Sequence, residues 1–244
     1  MAARLRGFTA LIGLGATFAV LLTFIVPAIL AGRSPLLVAV VGSAAIMLIV
    51  LYLTHGFTTA TSVAVVGTLS SLTLTGVLAA VATNAAYLTG VADDETVYLS
   101  VSYGNVDMRG LLLAGILIGS LGVLDDIAVT QAATVEELAT ANPTLTASQL
   151  YRSATRIGRA HIASVVNTII LAYAGASLPL LLLITAGGRP VDQILTNEAV
   201  AQELIRSVVG TLGLIAAVPI TTLLAAALAT RRTVTGSAPA GRHR

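Results

Sequence analysis

The chain has no cysteine and no tryptophan, and only 10% of its 244 residues are charged. Without cysteine, no disulfide can staple the fold and no thiolate can hold a metal. Without tryptophan, an interfacial aromatic belt falls to Tyr and Phe. A soluble domain carries about 25% charged residues. A chain at 10% charged and 56% hydrophobic is not an ordinary soluble domain. With its long apolar runs it reads as an all-α, polytopic integral membrane helical bundle. The net charge of +2 says little as a total, and nothing in it points to nucleic acid.

A membrane span needs about 20 apolar residues. Six stretches qualify, at about 8–30, 35–54, 60–81, 111–130, 162–185 and 207–230. Arg4 and Arg6 precede the first, as in the n-region of a signal peptide. That run is longer than a typical h-region and no small-x-small cleavage site follows it, so it reads as a retained span. Residues 1–230 thus form one transmembrane domain. The tail 231–244, with Arg231, Arg232, Arg242 and Arg244, is expected to be disordered and basic.

Lys/Arg bias in the connections sets orientation. With the N-terminus inside, Arg4, Arg6, Arg152, Arg156, Arg159 and the basic tail are inside. Asp93, Asp94, Glu95, Asp107, Asp192 and Glu198 are then outside. The reading is a multi-pass chain of six spans with both termini cytoplasmic.

Between the fourth and fifth spans, Asn142-Pro143 breaks a helix, and Thr146-Ala-Ser-Gln149 matches a capping box that starts another. The spacing predicts a cytoplasmic amphipathic helix over 146–160. Arg152, Arg156 and Arg159 fall on one face; Leu150, Ala154, Ile157 and His161 fall on the other. This is either an interfacial helix with its arginines toward lipid phosphates or an ordinary positive-inside loop.

The fourth span carries the feature that needs explaining, the adjacent pair Asp125 and Asp126. A carboxylate in lipid is costly, so such groups face a protein interior or a water-filled cavity. Gly115, Gly119, Gly122, Asp126 and Thr130 share one helical face, which would let another helix approach closely. Asp125 points about 100° away. In the fifth span Asn167, Tyr173 and Ser177 are polar positions, and Gly175-Ala-Ser-Leu-Pro179 interrupts the helix. A proline frees a backbone carbonyl, and broken helices often mark transporter sites. The aspartates lie about 6–8 Å from the inner end of their span, and Asn167 lies at a similar depth. His55, Arg159 and His161 sit at the inner mouth.

One reading gathers these residues into an inward-facing ion or proton site: Asp125, Asp126, Thr130 and Asn167 bind, while Tyr173, Ser177 and Pro179 line the path. In the other, Arg159 and His161 neutralise the aspartates as a structural ion pair. Two Asp and two His suit Mn, Zn or Mg, but adjacent Asp side chains on a helix diverge, so the metal stays open. At the start of the sixth span, Glu203 and Arg206 form an i, i+3 pair for which a structural role suffices. No Ser–His–Asp order, phosphate loop or haem-attachment motif is present. The chain reads as a non-enzyme, and its residues name no cofactor.

Several runs match a known pattern in order: SPLLV from Ser34, YLTHG from Tyr52, LLLAGILIGSLGVLDD from Leu111 to Asp126, and NTIILAYAGASLPLLL from Asn167. Glu203-Leu-Ile-Arg206 and Val218-Pro-Ile-Thr-Thr222 close it. On these residues the chain, over about 8–230, resembles the YibE/F-like family of bacterial multi-span membrane proteins. The resemblance is to the membrane core. Family members usually carry a further N-terminal region, with another span and an extracytoplasmic domain, ahead of it. The family pattern after Gly-Arg usually has Asp, where this chain has Ala160. The resemblance implies a permease-like, multi-pass protein of a bacterial cytoplasmic (inner) membrane and names no substrate.

Two functions are expected from this. One is a secondary transporter or channel for a small solute or ion, using the aspartates of the fourth span. The alternative is a non-catalytic membrane scaffold subunit of a larger complex. The partners expected are the lipid bilayer, a small ion or solute, and a second copy or another membrane subunit.

Overall fold

The structure, a computed structural model, describes residues 2–187 and 197–236. Among the described residues it is helical throughout, and six helices are long and apolar enough to cross a membrane. We number them in chain order. α1 (Ala2–Val20) passes through one π-helical turn (Leu21–Ile25) into α2 (Val26–Leu30), and together they make the first crossing. The π turn stands just before Pro27, whose missing N–H cannot bond to the carbonyl four residues back. α3 (Pro35–His55) and α4 (Thr59–Ala85) follow, each after a short turn. A short helix, α5 (Asp94–Ser102), precedes α6 (Met108–Ala141). Then come α7 (Ala147–Ala176), α8 (Leu178–Ala186) and α9 (Glu198–Gly236).

Local signals explain the boundaries. Thr58, Asp93, Asp107 and Thr146 each cap a helix by accepting a backbone N–H. The capping box expected at Thr146 and Gln149 is present. α6 stops at Ala141, just before Asn142-Pro143.

Three elements differ from the sequence reading. The amphipathic stretch 146–160 and the fifth span are one continuous helix, α7, because no Gly-Pro or cap signal separates them. Within it Leu150, Ala154, Thr155 and Gly158 face inward, whereas Ile157 is 49% exposed and His161 is also exposed. The inward stripe thus follows small residues rather than the more apolar Ile157. Finally, α9 continues past Thr230 to Gly236, into the stretch read as a disordered tail, since no Gly or Pro stands between Thr230 and Gly236. Asp192, Arg242 and Arg244 lie outside the described residues.

α4, α6 and α9 form the centre, α3 packs on α6, α1 packs on α3, and α7 packs on α9 and α6. Lipid offers apolar surface as readily as protein does, so close packing and interhelical hydrogen bonds must hold such helices together. The sequence supplies both. Gly67 of α4 receives Thr221 of α9, and Gly213 of α9 receives Thr75 of α4; at either glycine a Cβ would collide with the threonine. The two sockets are eight positions apart on each helix and run in opposite order, as two antiparallel helices require.

Alternating crossings create two ends. The terminal end holds the start of α1, the α3–α4 and α6–α7 turns and the end of α9. The far end is organised by Glu198, whose Oε1 accepts from Thr89 N at 2.7 Å, Gly90 N at 2.9 Å and Gln202 Nε2 at 3.1 Å. Gly90 has φ +88° and its Cα lies against the Met108 carbonyl, so only glycine fits there.

Candidate functional site

α6 positions the site. Its positions 112, 113, 116, 117, 120, 121 and 124 are buried against α4 and α9. The opposite stripe, Gly115, Gly119, Gly122 and Asp126, is exposed. The sequence reading expects this glycine face to seat a neighbouring helix. Within the chain it is open instead: nothing lies within 4 Å of a Cβ built on Gly122. Only the tips of two side chains reach the stripe, Arg206 Nη2 at Gly115 and the Tyr173 hydroxyl at Gly119. The close helix approach falls to Gly67 and Gly213.

At the terminal end the stripe opens into a cavity of about 470 Å³ between α3 and α6. Its lining includes Thr54, His55, Gly122, Asp125 and Asp126. This brings His55 to the aspartates, as expected from depth. Asp125 is half-buried and turned toward α4, where the buried Thr68 hydroxyl donates to its Oδ1 at 3.4 Å. Asp126, on the open stripe, is the more exposed of the two. Helix rotation places the inward carboxylate at Asp125, although the glycine pattern gives more weight to Asp126. His55 Nδ1 pairs with Thr54 Oγ1 at 2.7 Å, which orients the ring at the cavity rim.

The other predicted residues do not join this cluster. The Thr130 hydroxyl donates to its own helix, to the Asp126 carbonyl at 2.8 Å. Asn167, Arg159 and His161 are exposed on α7 and do not line the cavity. Among the described residues the only ion pair joins Arg206 and Glu203, so Arg159 and His161 do not neutralise the aspartates. No three His, Asp or Glu side chains among the described residues come together as metal ligands.

A second cavity, of about 420 Å³, lies at the far end. Ser177 lines it, at the point where α7 gives way to α8 just before Pro179, so the interruption read from Gly175 to Pro179 is present. Pro179 is exposed and does not line it. Arg206, Glu203, Gln202, Thr96 and Asp93 also line this cavity. Arg206 Nη1 donates to Glu203 Oε1 at 2.9 Å, the predicted pair. Sequence reasoning passed over what else Arg206 does. Its guanidinium reaches across to the glycine stripe of α6, and its Nε is buried with no hydrogen-bond partner among the described residues. An arginine about two turns inside a membrane helix was the available signal.

The arrangement is thus an open small-residue stripe on a membrane helix, with a charged cavity at each end and Tyr173 and Arg206 over its upper half. A model of the YibE/F-like protein family matches residues 1–231. The chain belongs to the YibE/F-like family. No curated protein and no solved structure matches it. The match runs through every helix that builds this YibE/F-like site, from α3 with His55 to α9 with Arg206. This YibE/F-like chain is an integral membrane protein with six apolar helices of spanning length.

Proposed function

We propose that the chain is a permease, a secondary transporter or channel for a small solute or ion, in which Asp125 binds a cation or exchanges a proton. The observation that carries this is the open stripe of α6. A lipid-facing helix has no need of glycines at Gly115, Gly119 and Gly122, whereas a path needs a wall without side chains. A half-buried carboxylate beside a cavity at the end of that wall is where a cation would rest. Asp126 and His55 stand at the cavity mouth and supply the exchange with water. Tyr173 and Ser177 border the far half of the path. On this reading the chain is a non-enzyme of a bacterial inner membrane with cytoplasmic termini. The orientation is supported by Arg152, Arg156 and Arg159 near the terminal end and Asp93, Asp94 and Glu95 at the far end.

The test is charge displacement in proteoliposomes after a rapid step in proton, sodium or potassium concentration. Wild type should give a transient current that Asp125→Asn removes and Asp126→Asn reduces. A wild-type signal equal to that of empty liposomes for every ion, or a full current in Asp125→Asn, refutes the assignment.

One observation favours the scaffold reading as a second function. α7 buries little of its membrane length, and it exposes Asn167 and Thr168 where lipid would otherwise meet them. A second copy or another membrane subunit covering that face would give Asn167 a hydrogen-bond partner. On that reading crosslinks from position 167 reach a second chain, and the ion steps give no current.

A further inference from the structure

The far-end cavity is lined by an arginine with an unused donor. Glu203 takes a single bond from Nη1 of Arg206. Nε has no hydrogen-bond partner among the described residues, but it is buried and out of a ligand's reach. Nη2 hydrogen-bonds to none of the described residues and points at Gly115, where no side chain intervenes. An open guanidinium donor in a cavity is a ready partner for a carboxylate oxygen.

The rest of the cavity carries the opposite sign. Asp93 uses Oδ1 to cap α5 and Glu203 uses Oε1 to hold Arg206, which leaves a second oxygen of each carboxylate unbonded among the described residues. A ligand bearing only negative charge would meet one cation and two carboxylates. A ligand bearing a carboxylate and an ammonium group is complementary to the whole set. Thr96, Ser177 and Gln202 complete a lining with room for a small molecule, about 420 Å³.

We propose that this cavity binds a small zwitterion of the amino-acid type, its carboxylate on Nη2 of Arg206 and its ammonium facing Glu203 and Asp93. The site opens onto the far end of the α6 stripe, so it names a substrate class for the permease and rests on that reading for every step after binding. Binding itself is independent of transport and is read without a membrane gradient.

The experiment is thermal unfolding of the purified full chain in detergent with L-alanine, acetate, ethylamine or inorganic phosphate at matched ionic strength. A ligand that binds only the folded state raises Tm with its concentration. L-alanine should raise Tm, and the other three should not. Arg206→Gln removes the positive charge and should weaken alanine binding at least about tenfold. Gly115→Leu places a side chain against Nη2 without changing any charge and should do the same, so the test stands if the Arg206 variant does not fold. The proposal is overturned if alanine gives no shift, if acetate or phosphate stabilises as much as alanine, or if Gly115→Leu binds alanine as wild type does. Alanine binding without any charge displacement would leave this site standing and count against the permease. Charge displacement without alanine binding would do the reverse.

Discussion

The Thr222 hydroxyl of α9 donates to Gln131 Oε1 of α6 at 2.8 Å, with both residues fully buried in the bundle. In lipid, a polar side chain left without its partner cannot turn to water. Thr222→Val should therefore destabilise the fold by about 1–2 kcal/mol. Gln131→Leu in that background should recover part of the loss, because the orphaned amide is then gone. Denaturant unfolding of the single and double variants in detergent measures both. Strictly additive losses would mean that the bond contributes nothing.

The glycines divide into two kinds. At Gly67 and Gly213 a Cβ would strike Thr221 and Thr75, so Gly→Ala at either should cost about 1–3 kcal/mol. At Gly122 a Cβ meets nothing, and alanine is the better helix former by about 1 kcal/mol. Gly122→Ala should leave stability equal or higher while narrowing the path between the two cavities. Unfolding curves beside ion-step currents separate these outcomes, and a destabilised Gly122→Ala would mean that the stripe is packed rather than open.

Asp125 and Asp126 should not behave alike. Thr68→Val removes the one hydrogen bond to Asp125 from α4 and leaves Asp126 untouched. It should reduce the transient current without abolishing it, where Asp125→Asn removes it. If Asp126→Asn is the more damaging change and Thr68→Val is silent, the inward carboxylate is not the binding one.

Glu198 gathers Thr89, Gly90 and Gln202 at the far end. Glu198→Ala deprives two backbone N–H groups of their acceptor. Hydrogen exchange at Thr89 and Gly90 should speed up by about tenfold or more, the factor that corresponds to about 1.4 kcal/mol. Unchanged exchange would show that the loop is held by Gly90 and Met108 alone.

The six crossings, the cap at Thr146, the break at Asn142-Pro143 and the interruption before Pro179 were all legible in the sequence, because each rests on local chemistry. What was not legible depends on rotation. Hydropathy says that α6 is a span but not which of two adjacent aspartates turns inward, and the difference is about 100° about the helix axis. The glycine stripe carried the same ambiguity, since small residues serve equally to admit a helix or to leave a space. Arg206 was overlooked because its i, i+3 partner seemed to account for it. The pair uses only Nη1, and only tertiary structure shows that the other nitrogens have no partner among the described residues. Asn167 reached the candidate site on depth along its helix alone, and its azimuth turns it outward, away from the cavity.

The 34 residues of α6 measure about 51 Å along the axis. A bilayer's hydrocarbon layer is about 30 Å thick. The helix is therefore longer than the layer it crosses, and at the terminal end it pairs with the start of α7, packs beside the ends of α4 and α9, and is tipped by the exposed residues Ala141 to Thr144. A helix that leaves the bilayer without a joint is a natural handle. A reporter or rigid fusion partner spliced at Pro143 would inherit the orientation of α6, so a tilt of the wall beside the cavities could be watched from outside the membrane as a swing of the graft.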